Sequence, residues 1–181
     1  DDLVARWRAT GRDACAAPVV SFGASGEHAG FAGTVSIGTE GLRAMIIEIG
    51  RSASEWTERL VFVNGHGGNV ATVKRVVNQM RYERHEVMST SCALETSNDA
   101  HAGHDETSVM LHLSPESVRV ASIVAGNTQP LKKILPDLMA QGVRPVSPSG
   151  VLGDPTTADA ALGEEQFALM VARIVREVEH G

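Results

Sequence analysis

Apolar residues recur along this chain with two kinds of spacing, and the switches between them outline its elements. Leu42, Met45, Ile46, Ile49, Ala53, Trp56 and Leu60 fall three and four apart. That spacing predicts a helix with one buried face, with Thr39 as its N-cap. Val70, Val73, Val76, Val77 and Met80 mark a second helix. Leu162, Phe167, Met170, Val171, Ile174, Val175 and Val178 mark a long one near the C-terminus. Residues 3–9 and Glu106–Leu113 read as shorter helices. Four segments without that spacing predict strands: Ala17–Phe22, Leu60–Val63, Glu86–Ala93 and Val118–Val124. Leu60–Val63 has the signature of a parallel strand buried on both sides. Strands alternate with helices, so the expected class is α/β, a three-layer α/β/α sandwich with a mainly parallel sheet.

The polar stretches between these elements are informative. Gly23–Gly41 is glycine-rich and has little periodicity. A structured loop of that length within a compact domain is usually functional. Ser97–Asp105 is polar, and Pro145–Pro155 is rich in Pro, Gly and Ser. With 181 residues and no internal linker, the chain is expected to form a single domain over 1–181.

Charge narrows the partners. The net charge is −6, with no block of Lys or Arg. Nucleic acid and anionic membranes are therefore not expected as partners. No apolar run approaches the roughly 20 residues that span a bilayer. Cys15 and Cys92 are too few for a disulfide framework. They fit a reducing, cytoplasmic compartment and are expected as small buried apolar groups.

Three segments could carry chemistry. Asn64-Gly65-His66-Gly67-Gly68-Asn69 follows a predicted strand and precedes a predicted helix. Glycines there let backbone approach a ligand, and ligands gather at strand ends in open α/β sheets. His66 fits a metal ligand and equally a loop histidine that bonds the backbone. Gly67 and Gly68 are candidate backbone contacts to a substrate; in a non-catalytic binding module Gly65–Gly68 would instead present N–H groups to an anion at a helix N-terminus. His101-Ala102-Gly103-His104-Asp105-Glu106 puts imidazoles and carboxylates close together. A divalent metal takes such N and O ligands. A solvated loop with acids at a helix N-terminus is the plainer reading. Ser25, Glu27 and His28 could form a substrate-facing lip, or a turn that satisfies its own backbone. Trp7, His85, His112 and His180 read as structural or surface residues.

These segments resemble a known family. Phe62–Asn69 resembles the first signature of the creatininase (creatinine amidohydrolase) family. His101-Ala102-Gly103 with Glu106-Thr107-Ser108 resembles its second, and Gly150–Pro155 its late third. The likeness runs from about Ala17 to the C-terminus. Gly23–Phe31, Gly33–Gly38 and Glu106–Leu113 are similar to the branch of the family that serves the mycofactocin system.

The resemblance implies an α/β/α fold, hydrolysis of C–N amide bonds and a closed homo-oligomer. It also implies a dinuclear divalent metal site holding Fe2+, Zn2+ or Mn2+. By carry-over His66 is a metal ligand, Glu106 a metal-site carboxylate with a catalytic role, and His101 the acid/base serving the leaving nitrogen. Creatinine hydrolases carry a glutamate two residues after the loop histidine. Gly68 stands there in this sequence, which argues against creatinine as substrate. The mycofactocin branch implies a modified ribosomal precursor peptide as substrate, cleaved to release a heterocycle derived from its C-terminal Tyr and Val. A formamide deformylase of flavin or deazaflavin biosynthesis is the alternative within the family. Further family ligands, in a Glu-x-His-Gly-x-His segment and a following Thr-Asp, are expected upstream of Asp1.

Overall fold

A computed structural model describes residues 2–94 and 99–180 of the chain. Seven helices are described: α1 (Asp2–Ala9), α2 (Gly38–Ala53), α3 (Val70–Tyr82), α4 (His104–Leu113), α5 (Leu131–Gln141), α6 (Val143–Val146) and α7 (Ala160–His180). Two strands, β1 (Leu60–Asn64) and β2 (Val87–Ser91), pair in parallel, with Leu60 opposite Val87 and Asn64 opposite Ser91. The chain divides into two compact units. The first comprises residues 1–26, 35–93 and 171–181, and the second residues 27–34 and 94–170.

The first unit is a β1-α3-β2 crossover with α2 packed beside it. Its core joins Leu42, Ile46 and Ile47 of α2 to Val73, Val76, Val77 and Met80 of α3 and to Val87 of β2. Most are positions that the three-and-four spacing selects, since such residues share one helix face, but Ile47 takes the place in the core expected of Ile49, which is exposed, as is Val70 at the start of α3. Val76 and Met80 are completely buried. Arg51 donates to both carboxylate oxygens of Glu83, at 3.0 and 2.7 Å, fastening the end of α2 to the end of α3. This pair pulls the Glu83 carboxyl down to about 2, chiefly through the Arg51 hydrogen bonds and secondarily through Gln79.

The second unit has a smaller core of Ile134, Val143 and Leu152, against which Phe31, Leu138 and Val146 pack. Helix α5, absent from the sequence expectations, carries Leu131, Ile134, Leu135, Leu138 and Met139 at three-and-four spacing and contains Pro136. Ser108 of α4 is fully buried and donates to the His104 carbonyl at 2.7 Å. It also accepts the Asp159 N–H at 3.0 Å.

Several expectations need correction. Ala17–Phe22 is not a strand, and Val19 is 88% exposed. An extended segment becomes a strand only where a neighbour takes its N–H and C=O groups. Among the described residues, the bridge between Gly23 and Ser36 is the one such pairing nearby. Val118–Val124 is irregular and contains a short 3-10 turn at Val120–Ser122. It follows a turn at Pro115–Ser117, where Ser114 bonds the Glu116 carboxylate and the Ser117 hydroxyl. Local side-chain bonds of this kind compete with sheet formation. β1 is only half-buried and Val63 is exposed, because the sheet has two strands among the described residues.

Helix α2 starts at Gly38, so Thr39 sits in its first turn rather than at its cap. The Ser36 hydroxyl takes the Gly38 N–H instead, at 3.2 Å. α2 ends at Ala53 and leaves Trp56 exposed. Cys15 and Cys92 are exposed, not buried. Cys15 lies in the irregular segment after α1, and Cys92 just past the end of β2. Of the polar stretch Ser97–Asp105, the residues Ser97 and Asn98 lie outside the described residues.

Candidate active site

The expected site residues fall in both units. Ser25, His66, Gly67 and Gly68 belong to the first, and Glu27, His28, His101 and Glu106 to the second.

In the first unit His66 follows β1 by two residues, at the C-terminal end of the strand. Its backbone is extended, and Gly67–Asn69 then forms a 3-10 turn that runs into α3. Asn64 braces this bend from its side chain. Its amide donates to the His66 carbonyl at 2.9 Å, and its oxygen accepts the His66 N–H at 3.3 Å. Asn69 holds the neighbouring segment. Its side-chain oxygen accepts the Ala24 N–H at 2.9 Å. A Cβ on Gly23 would fall 2.8 Å from that same oxygen, so only glycine lets the two segments approach this closely. Ser25 is held by its N–H, which donates to the Ser36 hydroxyl at 3.0 Å. The two asparagines flanking the glycine-histidine run are therefore its scaffold. Sequence reasoning gave them no role, although Asn after a strand is a known turn former.

In the second unit Glu27, His28, His101 and Glu106 come together. His101 Nδ1 lies 3.5 Å from Glu106 Oε2. The His28 and His101 rings are tilted against each other with centroids 5.0 Å apart. Glu27 Oε1 lies 3.7 Å from His28 Nε2. The Glu106 carboxylate, reinforced by the charge of Glu27, raises the His101 pKa above its ordinary value although partial burial opposes it. An imidazole held this way keeps its proton further into the neutral range, which suits a general acid.

Each partner is fixed in place. Glu106 Oε2 accepts the Ala102 N–H at 2.6 Å. The His101 backbone pairs with Leu152: its carbonyl accepts the Leu152 N–H at 2.8 Å, and its N–H reaches the Leu152 carbonyl at 3.2 Å. The late loop Gly150–Pro155 thus braces the histidine that sequence placed far from it. On the side of Glu27, Arg144 of α6 donates to the Gly30 carbonyl and Phe31 enters the core of the unit.

His104 and Asp105 take a different role. His104 bridges Asp105 Oδ1 at 3.1 Å and the Thr157 carbonyl at 3.0 Å. Asp105 also receives Gln166 of α7 at 2.8 Å. Asp105 and then the Thr157 carbonyl raise the His104 pKa. These contacts tie α4 to α7 and the loop before it. The dense His/Asp/Glu cluster of the sequence thus separates into a pair, His101–Glu106, and a second pair, His104–Asp105, that ties α4 to its surroundings.

The family model for creatinine amidohydrolase matches residues 2–178. The chain belongs to the creatininase family. Among its relatives, the mycofactocin precursor peptide peptidase of Mycolicibacterium smegmatis is 55% identical over 160 residues, covering 88% of this chain and 64% of that protein. The protein of the same name from Mycobacterium tuberculosis is 54% identical over 162 residues, covering 90% and 64%. This creatininase-family chain thus spans just under two thirds of the length of those relatives. A structure from Bacteroides fragilis named as a creatinine amidohydrolase superposes with a TM-score of 0.77 at 22% identity, over 96% of this chain and 76% of that one. A mutant creatininase of Zn-Zn type superposes with a TM-score of 0.62 at 23% identity, over 87% and 69%. The chain therefore has the creatininase fold, an α/β fold with a parallel sheet, as its sequence pattern implied. No helix among the described residues is long and apolar enough to cross a membrane.

Proposed function

We propose that this chain is the main part of a metal-dependent peptidase. Its substrate is a modified mycofactocin precursor peptide, and it releases the C-terminal moiety. The observation that carries this reading is the His101–Glu106 pair at 3.5 Å, in a chain 53–55% identical to proteins named for that activity. Those relatives share more than half of the aligned residues.

The donor chemistry fits a divalent ion. Imidazole nitrogens and carboxylate oxygens are ligands that Zn2+, Fe2+ and Mn2+ all accept, and a Zn-Zn creatininase shares the fold. His66 and Glu106 are the proposed metal ligands of this chain, and the proposed centre is dinuclear. A bound divalent ion supplies a water ionised near neutral pH and polarises the amide carbonyl.

The residues of this chain do the rest. Glu106 faces Nδ1 of His101, so the proton for the departing amine is delivered from Nε2. Glu27 adds negative charge beside that imidazole and favours its protonated form. Ser25, Glu27 and His28 are proposed as side-chain contacts to the peptide, and Gly67 and Gly68 as backbone contacts that no Cβ obstructs. Gly68 stands where creatinine hydrolases carry a glutamate, so the reading is a peptide substrate rather than creatinine. The assembly is a closed homo-oligomer acting in the cytoplasm.

The test is metal analysis of the full-length protein, followed by incubation with the modified precursor peptide and mass spectrometry. Loss of the C-terminal moiety, abolished by a chelator, is the expected result. Release of formate from a small formamide with the peptide left intact would assign the deformylase reading instead. Peptide binding without turnover, and unaffected by a chelator, would leave a binding module.

A further inference from the structure

Asp99 stands outside every motif singled out in the sequence, yet two of the family signatures meet on its side chain. Its Oδ2 accepts the N–H of His104, the first residue of α4, at 2.5 Å. A Cβ on Gly103 would collide with the Asp99 carboxyl group, and a Cβ on Gly153 would fall 2.5 Å from its Cγ. Gly103 belongs to the second signature and Gly153 to the third. Both positions exclude a side chain so that this carboxylate can enter.

The contacts of Asp99 and Glu106 interlock. Asp99 reaches forward to the start of α4, while Glu106, inside α4, reaches back to the Ala102 N–H at 2.6 Å. Between them Ala102 has φ +51. That left-handed conformation is unfavourable by about 1–2 kcal/mol for an L-residue and persists only where its surroundings enforce it. His101 lies next to this strained residue, with its backbone already paired to Leu152.

We propose, resting on the hydrolase reading above, that Asp99 is a positioning residue. It pins the first N–H of α4 and thereby fixes the turn through which His101 faces Glu106. It acts through its acceptor oxygen, not through contact with substrate.

The test uses full-length protein with its metal and the modified precursor peptide. Asp99→Ala is expected to lower kcat by roughly ten- to a hundredfold, the range for a misplaced catalytic group, with KM and metal content unchanged. Asp99→Asn keeps an acceptor oxygen and is expected to restore most of the lost kcat. Amide exchange on metal-free protein gives a second readout. The His104 amide should exchange faster in Asp99→Ala but not in Asp99→Asn, while the amides of α3 stay protected. A wild-type kcat in Asp99→Ala, no recovery in Asp99→Asn, or unchanged His104 exchange each overturns the proposal. General loss of protection, α3 included, would also overturn it by making Asp99 a fold residue. If wild-type protein does not cleave the peptide, the hydrolase reading fails, and His104 exchange still decides whether Asp99 pins the turn.

Discussion

His101 Nδ1 and Glu106 Oε2 face each other at 3.5 Å from opposite ends of one tight turn. The same Glu106 oxygen also holds the Ala102 N–H between them. One carboxylate thus shapes the loop and favours protonation of the histidine. Glu106→Gln separates these tasks, because an amide oxygen still accepts the Ala102 N–H while the charge is gone. We expect turnover of the precursor peptide to fall by about 10²–10⁴-fold, the usual weight of an acid–base group, with the fold unchanged by circular dichroism. His101→Ala should fall in the same range. Full activity in both variants would falsify the assignment.

Metal dependence is checked through His66. Removing an outer-shell partner of a metal ligand already weakens binding roughly 10–100-fold, so loss of the ligand itself should do at least as much. His66→Ala is expected to lose metal on dialysis, measured by elemental analysis, while unfolding of the metal-free proteins coincides. Wild-type protein should melt higher with metal than without, by about 2.7 kcal/mol at a hundredfold excess over Kd. A melting curve that ignores both chelator and metal would speak against a resident ion.

The core of the first unit makes a sharp contrast within one helix. Met80 is completely buried and Tyr82, two residues on, is 89% exposed. Met80→Ala should lower the free energy of unfolding by about 2–5 kcal/mol. Tyr82→Ala should change it by less than about 0.5 kcal/mol. Urea titrations of the two variants give the comparison directly.

The Arg51–Glu83 pair predicts a pH dependence of stability. Arg51 holds the folded-state carboxyl at about 2, against 4.5 without the pair. The folded form therefore binds this proton less readily than the unfolded form. The contribution is fully present above about pH 4.5 and is lost as pH falls towards 2. Glu83→Gln should reduce stability by a constant amount near neutral pH, and the difference from wild type should close in acid. Parallel curves down to pH 2 would show that the pair does not respond to pH.

Much of this was legible in the sequence because it depends on local periodicity. The buried faces of α3 and α7 largely followed from three-and-four spacing, that of α2 did so except that Ile47 rather than Ile49 is buried, and β1 followed from a short apolar run. The strand reading of Ala17–Phe22 failed because apolarity does not supply a hydrogen-bonding neighbour. The strand reading of Val118–Val124 failed because serine and proline chemistry nearby favoured turns. The scaffold was the least visible part. Asn64, Asn69 and Asp99 act through side-chain hydrogen bonds to backbone groups, and no periodicity marks such contacts.

The sequence by itself determined the α/β class, the family and the residue types at the site, since each rests on order and spacing along the chain. The division of labour in His101–Glu106 was decided only by the tertiary structure. Residues 101 and 106 meet, and 104 and 105 turn away to Thr157 and Gln166. The reason is directional. A helix start at His104, a left-handed Ala102 and a backbone pairing with Leu152 determine which way each side chain points. One of those three, the pairing with Leu152, depends on a residue some fifty positions away.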